Sequence, residues 1–383
     1  MVALVAAVAL GALGVLGLVG IGEDEPPLVP LPPPIEEPPP EHKAAGFFGV
    51  SPQTHLTERD YRRMGQGKAN ILRVPLSWDN VQSVPGRCEP EPAVATCSWT
   101  NFDAIVGQAA AYGIRVLPTL GGRPEFTKDK KSDDYIRDHP PIKGKEAEAW
   151  RAFVRSAAAR YGKGGAYWDE FTKAFPLDPV PIVEWQIWNE PNAGAYWPPK
   201  PRAKQYAKLV RQSATSIREG DPEAEIVLGG MFGTATKSSR KYLQQLYSVD
   251  GIEEYFDSIA IHPYSPKLQG VKVQAGWVRK VAEAAGDPEV GLWVTELGWG
   301  SGKSGHPLER GPKLQAKLLD RSFRLLLQQR EAWNVEGVTW FTWEDRRDRK
   351  VCRFCRHAGL FDARDRAKPA WEVFKRYARK EVR

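Results

Sequence analysis

The sequence predicts an α/β protein: a single (β/α)8 TIM barrel preceded by an apolar N-terminal segment and a proline-rich linker. Three observations lead to that class. From Gly46 onward, short β-branched or aromatic runs alternate with longer segments of helical period. Eight such units follow one another, and strict alternation requires parallel crossovers, which close into a barrel at eight. No glycine-rich phosphate fingerprint opens any helix, which sets a doubly wound sheet aside.

The chain begins with an uncharged run, Val2 to Gly22, long enough to span a bilayer once. No Lys or Arg precedes it, so the positive start of a usual signal peptide is missing. Pro26 to Glu41 reads PPLVPLPPPIEEPPPE, a stiff polyproline-type spacer that cannot join a compact core. The expected division is therefore 1–22 as a signal peptide or N-terminal membrane anchor, 23–43 as a disordered linker, and 44–383 as the globular domain. That arrangement implies export, to the exterior or the cell surface, with membrane contact only through the N-terminal segment.

The first strand is expected over 46–53, and Thr57 caps the helix that follows, ending near Gly65. The second strand is 70–78. A loop carrying Cys88 and Cys97 leads to a helix from Asn101 to Tyr112, stopped by Gly113. The third strand is 114–122, with a long helix from Lys145 to Tyr161 closed by Gly162. Lys163 to Pro181 reads as a long loop. The fourth strand is the apolar, aromatic stretch from Val183 that stops at Asn189-Glu190-Pro191-Asn192. Proline cannot extend a sheet ladder, so Glu190 falls where a strand ends and a loop begins. Strands five to eight are expected over 225–231, 257–264, 292–300 and 337–345. The helices after strands four to seven run over 202–219, 240–247, 273–285 and 312–332, and a final helix covers 369–379.

Composition is ordinary for a globular protein, at 42% hydrophobic and 26% charged. A formal charge of +7 raises the question of nucleic acid. No helix-turn-helix, zinc-finger or RNA-binding signature is present, and the basic residues are spread among acidic ones, so no nucleic-acid partner is expected. The excess is concentrated after Asp345. The 14 Trp residues suggest aromatic platforms of the kind sugars stack on, although a Trp-rich core gives the same count. Four cysteines allow three pairings. The near pairs, Cys88 with Cys97 and Cys352 with Cys355, suit an oxidising compartment, with a zinc site at Cys352-x-x-Cys355 as the competing idea.

In a barrel the active site gathers residues from the carboxyl ends of the strands. Those ends supply Arg73, Trp78, Asn189, Glu190, His262, Tyr264, Glu296, Trp299 and Trp343. Glu190 and Glu296 stand at the ends of strands four and seven, across the barrel mouth. Two facing carboxylates with aromatic walls, no metal triad and no cofactor suit cleavage of a glycosidic bond. One protonates the leaving oxygen and the other attacks the anomeric carbon. Their pKa values must be held apart, with Glu190 raised by half-burial and Glu296 kept ionised by Arg73 and the Tyr264 hydroxyl.

Trp188-Asn189-Glu190-Pro191 and Thr295-Glu296-Leu297-Gly298-Trp299 resemble the acid/base and nucleophile motifs of the clan A retaining glycoside hydrolases, the 4/7 superfamily. The likeness covers roughly residues 46 to 375. It is closest to the β-xylosidase and α-iduronidase family and its exopolysaccharide endoglycosidase relatives. The resemblance implies Glu190 as acid/base, Glu296 as nucleophile, and Asn189 as a hydrogen-bond partner of the substrate 2-hydroxyl. It implies that Arg73 and Tyr264 orient the nucleophile, that His262 belongs to a His-x-Tyr pattern, and that Trp343 floors the central sugar subsite. Trp78, Trp197 and Trp299 would line neighbouring subsites, or simply pack loops. The substrate implied is a poly- or oligosaccharide, acted on by a monomer. The absence of an evident β-domain after the barrel weighs against an exo-xylosidase. Basic residues between Arg346 and Arg356 would favour an anionic glycan. A non-catalytic polysaccharide-binding barrel and a transglycosylase remain as alternatives.

Overall fold

The computed structural model describes residues 46–86, 88, 96–127, 140–233, 237–348 and 352–380. The expected leader and linker, and residues 349–351 of the loop after the eighth strand, lie outside them. The strands are β1 (Phe48–Val50), β2 (Ile71–Ser77), β3 (Arg115–Gly121), β4 (Glu184–Ile187), β5 (Glu225–Leu228), β6 (Ser258–His262), β7 (Gly291–Leu297) and β8 (Val335–Trp340). The helices are α1 (Glu58–Gly67), α2 (Trp78–Val81), α3 (Thr100–Ala111), α4 (Gly144–Tyr161), α5 (Ala166–Ala174), α6 (Ala203–Gly220), α7 (Lys237–Tyr247), α8 (Leu268–Ala284), α9 (Gly311–Gln328) and α10 (Pro369–Ala378).

Every strand pairs in parallel with its neighbour, and β1 pairs with β8 through Gly49 and Thr339. Val227 of β5 pairs with Ser258 of β6, and Met231–Phe232 continues the fifth strand beside Ile261 and His262. The sheet therefore closes as the eight-stranded barrel that the alternation predicts. Strand boundaries fall inside the expected ranges except at β7 and β8, which begin slightly earlier. Residues 163–181, read as loop, contain α5, whose Tyr167, Trp168 and Phe171 are buried.

Side chains alternate along a strand with period two, so residues two apart stack as layers inside the barrel. Ile71, Leu117, Val227, Ala260 and Trp293 form an apolar layer of their own. Further toward the strand carboxyl ends, the inward positions become Arg73, Thr119, Gln186, His262 and Thr295, joined by Thr339, all buried. Nearer the strand amino ends stand Arg115, Glu184 and Ser258, with Arg115 ion-paired to Glu184. The barrel thus has a polar floor, an apolar middle and a hydrogen-bonded polar layer just beneath the catalytic face.

Between barrel and helices lies a large aromatic core. Trp78, Trp150, Trp185, Trp188, Trp197, Trp299, Trp340 and Trp343 are all essentially inaccessible. Most of the tryptophan content is therefore core, each ring removing enough apolar surface to stabilise the fold by roughly 1.5–3 kcal/mol. No helix among the described residues is long and apolar enough to cross a membrane. The disulfides are Cys88–Cys97 and Cys352–Cys355, the sequence-near pairing, which leaves no thiol for the competing zinc site.

Candidate active site

The polar layer organises the strand ends above it. Arg73, on β2, is buried and reaches four groups. Its Nε donates to Gln186 Oε1 at 2.7 Å, one terminal nitrogen to Ser51 Oγ at 3.2 Å and Glu296 Oε1 at 2.8 Å, and the other to Asn189 Oδ1 at 2.8 Å. Gln186 is fixed in turn by Thr119 Oγ1 at 3.0 Å and donates to Leu228 O and Thr295 Oγ1. Asn189 spends its side-chain oxygen on Arg73, which leaves its amide nitrogen for a ligand.

Glu296 lies at the end of β7, with a second donor on its other oxygen: Tyr264 Oη at 2.8 Å. Burial alone would raise its pKa. The electrostatic influence of His262, the positive charge of Arg73 and the hydrogen bonds from Tyr264 and Arg73 outweigh burial and hold the carboxyl below its ordinary value. Burial, reinforced by the charge of Glu296, pushes the Tyr264 phenol well above its usual range, so it remains a donor.

Glu190 is presented by an unusual turn. Trp188 and Glu190 both adopt positive φ, 70° and 43°, a conformation non-glycine residues rarely take and one associated with functional sites. The turn packs against Gly229, where a Cβ would come within 2.8 Å of Trp188 O and 2.9 Å of Pro191 Cδ. Glu190 Oε1 lies 2.7 Å from His262 Nδ1, and His262 Nε2 lies 3.1 Å from Thr295 Oγ1. The ring suits either state of Glu190. With Nδ1 protonated it donates to the carboxylate; with Nε2 protonated it donates to Thr295 and accepts from the acid.

One oxygen of Glu190, one of Glu296 and a nitrogen of His262 lie within 4.8 Å of one another. Both carboxylate side chains keep about a tenth of their surface accessible, 11% and 12%, so each borders open space. The separation suits direct attack, for which carboxyl groups stand about 5–5.5 Å apart, and is too short for the roughly 6.5–9.5 Å that leaves room for an intervening water. The same trio has the spacing to hold a cation, but the Arg73 guanidinium on Glu296 already supplies the positive charge and would repel an ion there.

Arg73, Asn189, Glu190, His262, Tyr264 and Glu296 are thus brought together. The three tryptophans are not, and here the sequence reading is corrected. Trp78 is fully buried, donates to Gln82 Oε1 at 2.8 Å and packs on Trp150 and Phe153. Trp299 is fully buried and donates to Ser265 O at 2.7 Å. Trp343 is 1% exposed, donates to Asp60 Oδ1 at 3.0 Å and packs between Phe361 and Trp371. None presents a face to a sugar. Trp197 is likewise buried. The aromatic residues that do flank the site were not singled out in the sequence: the Phe341 ring lies 6.0 Å from that of Tyr264, and the Phe354 ring 5.2 Å from it. Gln186 and Thr295 were missed as well, although an uncharged polar residue inside an otherwise apolar strand is the signal that could have found them.

Comparison with known proteins agrees with this geometry. No curated protein matches the chain. Among solved structures, a family 39 glycoside hydrolase from the gut symbiont Bacteroides cellulosilyticus WH2 superposes with a TM-score of 0.61 at 18% identity, over 86% of this chain and 63% of that one. The chain therefore spans less than two thirds of that enzyme's length. A monomeric β-xylosidase from Caulobacter crescentus CB15 gives 0.60 at 18%, over 86% and 68%, and a GH5_18 protein from Bifidobacterium longum subsp. infantis gives 0.61 at 15%, over 88% and 79%. At such identities these likenesses establish the barrel fold. The clan A resemblance holds, with family 39 among the structural neighbours. The family model described as Cellulase (glycosyl hydrolase family 5) matches residues 41–344, most of the chain. The chain belongs to glycosyl hydrolase family 5, in clan A.

Proposed function

We propose that this protein is an exported retaining glycoside hydrolase that cuts O-glycosidic bonds in a poly- or oligosaccharide by double displacement, with Glu190 as acid/base and Glu296 as nucleophile. The observation that carries the reading is the approach of the two carboxylates within 4.8 Å, one ionised by its neighbours and the other backed by a histidine. In the first step Glu190 gives its proton to the glycosidic oxygen as that bond breaks. Glu296 bonds to the anomeric carbon and forms a glycosyl ester. In the second, Glu190, now a carboxylate, takes a proton from water. The water oxygen bonds to the anomeric carbon, the ester bond breaks and Glu296 is released.

His262 accepts or donates at Glu190 in step with that change. Arg73 and Tyr264 keep Glu296 charged and aimed, and Asn189 offers its amide to the 2-hydroxyl. Export is supported by the apolar run before a polyproline spacer and by both disulfides. The test is a panel of 2-deoxy-2-fluoro activated glycosides read by intact mass. A single covalent adduct mapped to Glu296 is expected, and the sugar that forms it identifies the glycone. Labelling at any other residue overturns the assignment.

A further inference from the structure

Described residues on either side of the carboxyl-end loops of β2 and β3 line a cleft of about 520 Å³, among them Pro85, Gly86, Phe126, Lys143, Lys145 and Glu146. Both loops leave the carboxyl ends of their strands, so the cleft opens on the same face as Glu190 and Glu296. A chain of rings joins the two regions. Phe126 lies 6.3 Å from Trp78, Trp78 5.7 Å from Trp150, and Trp150 6.2 Å from Trp188, the neighbour of Asn189. None of Arg73, Asn189, Glu190, His262, Tyr264 and Glu296 is among the cleft's described lining residues, so the cleft is separate from the reacting centre.

Among the described lining residues the charge is unbalanced. Glu146 is ion-paired with the buried Arg123, which also donates to Thr127 O at 2.6 Å. Lys143 and Lys145 are exposed, and among the described lining residues the only carboxylate is that committed one. Lys143 is also the N-cap of the 18-residue helix α4 and provides no side-chain cap, so the first-turn amides and the positive end of the helix add to the same field. A partly buried phenyl ring beside two free ammonium groups matches a sugar that carries a carboxylate. On the other flank of the site, by contrast, Arg346 donates to Gln53 O and pairs with Asp348, and Arg347 donates to Ala363 O.

We infer that this cleft is a distal subsite for a uronic-acid residue of an acidic polysaccharide, with Lys143 and Lys145 pairing its carboxylate and Phe126 packing on its ring. The inference rests on the glycosidase reading and names the substrate class for it. Calorimetric titration of the intact protein with tetragalacturonate, tetramannuronate, cellotetraose and a sulfated tetrasaccharide tests it. A uronate should bind, more weakly as salt rises. Lys143→Ala/Lys145→Ala should lose roughly three- to tenfold in that affinity, the scale of two solvent-accessible ion pairs. Turnover of a small neutral aryl glycoside and labelling of Glu296 should be unchanged in the same variant. Equal uronate affinity in variant and parent, no uronate binding by the parent, or binding only of the sulfated probe would each overturn the inference. Uronate binding that depends on the lysines, with no label at Glu296, would leave the subsite standing and bring down the hydrolase reading instead.

Discussion

The two carboxylates differ in what surrounds them, and that difference can be tested one side chain at a time. Glu296 takes charge-assisted hydrogen bonds from Arg73 and Tyr264 at 2.8 Å each. The Tyr264 hydrogen bond is one of the causes that hold the Glu296 carboxyl down, so Tyr264→Phe should raise the Glu296 pKa. The nucleophile must be ionised, so the acid limb of the kcat/KM profile should move to higher pH. An unmoved limb would mean that Tyr264 serves packing alone. Glu190→Ala should slow substrates with poor leaving groups by about 10²- to 10⁴-fold and activated aryl glycosides far less, with azide restoring turnover. Equal losses on both substrate types would remove its role as proton donor. Arg73, Asn189, Glu190, His262, Tyr264 and Glu296 could be read from the sequence because a polar residue at a barrel strand end has few structural reasons to be there. Trp78, Trp299 and Trp343 could not. An indole at the same position serves equally well facing the helices, and only coordinates reveal which way it turns.

At the level of elements, the site depends on close approaches that glycine permits. Between β5 and its continuation at Met231, a Cβ on Gly230 would sit 2.0 Å from His262 Nε2. Gly230→Ala must therefore displace His262 from Glu190. It should lower stability by about 1–3 kcal/mol, visible in thermal unfolding, and reduce kcat in the folded fraction. Unchanged activity in that variant would sever His262 from the proton chemistry. In the loop after β8, Cys352 and Cys355 bracket Phe354, which packs on Tyr264 and stacks with His306 at 5.5 Å. Cys352→Ser/Cys355→Ser should loosen that wall and raise KM several-fold with little change in kcat. A loss confined to kcat would place the disulfide's effect on Glu296 instead. Neither phenylalanine announced itself in the sequence, since Phe354 reaches the site only through the fold of its loop. Helix α5 escaped notice for a related reason. Its nine residues are short for a periodic signal and lie between glycine-rich and proline-rich stretches.

For the whole molecule, the two ends of the barrel carry different burdens. Glu336, at the amino-terminal mouth, is raised to about 7, first by burial and then by the charges of Glu225 and Glu184, against a hydrogen bond from Ser258. A carboxyl whose folded pKa lies above its unfolded value contributes stability that is complete below about pH 4.5 and is lost as pH rises through about 7. Chemical denaturation should show stability falling across that window, by up to about 3 kcal/mol at about 1.4 kcal/mol per unit. Glu336→Gln should flatten the fall and leave glycoside turnover alone. A parent protein with no decline between those values would contradict the account. Barrel class and strand order were legible because hydrophobic period and chain alternation are properties of the sequence itself. The stacking of polar, apolar and polar layers was not, because it depends on the stagger between strands. One member of the upper layer has a practical consequence. Arg73 hangs from β2 and grips groups belonging to the first, fourth and seventh strands, so the reacting centre is bolted to the frame. The rim segments are then interchangeable tooling: exchanging the β2 and β3 loops for those of another clan A barrel should redirect which polymer is gripped while the cutting edge stays true.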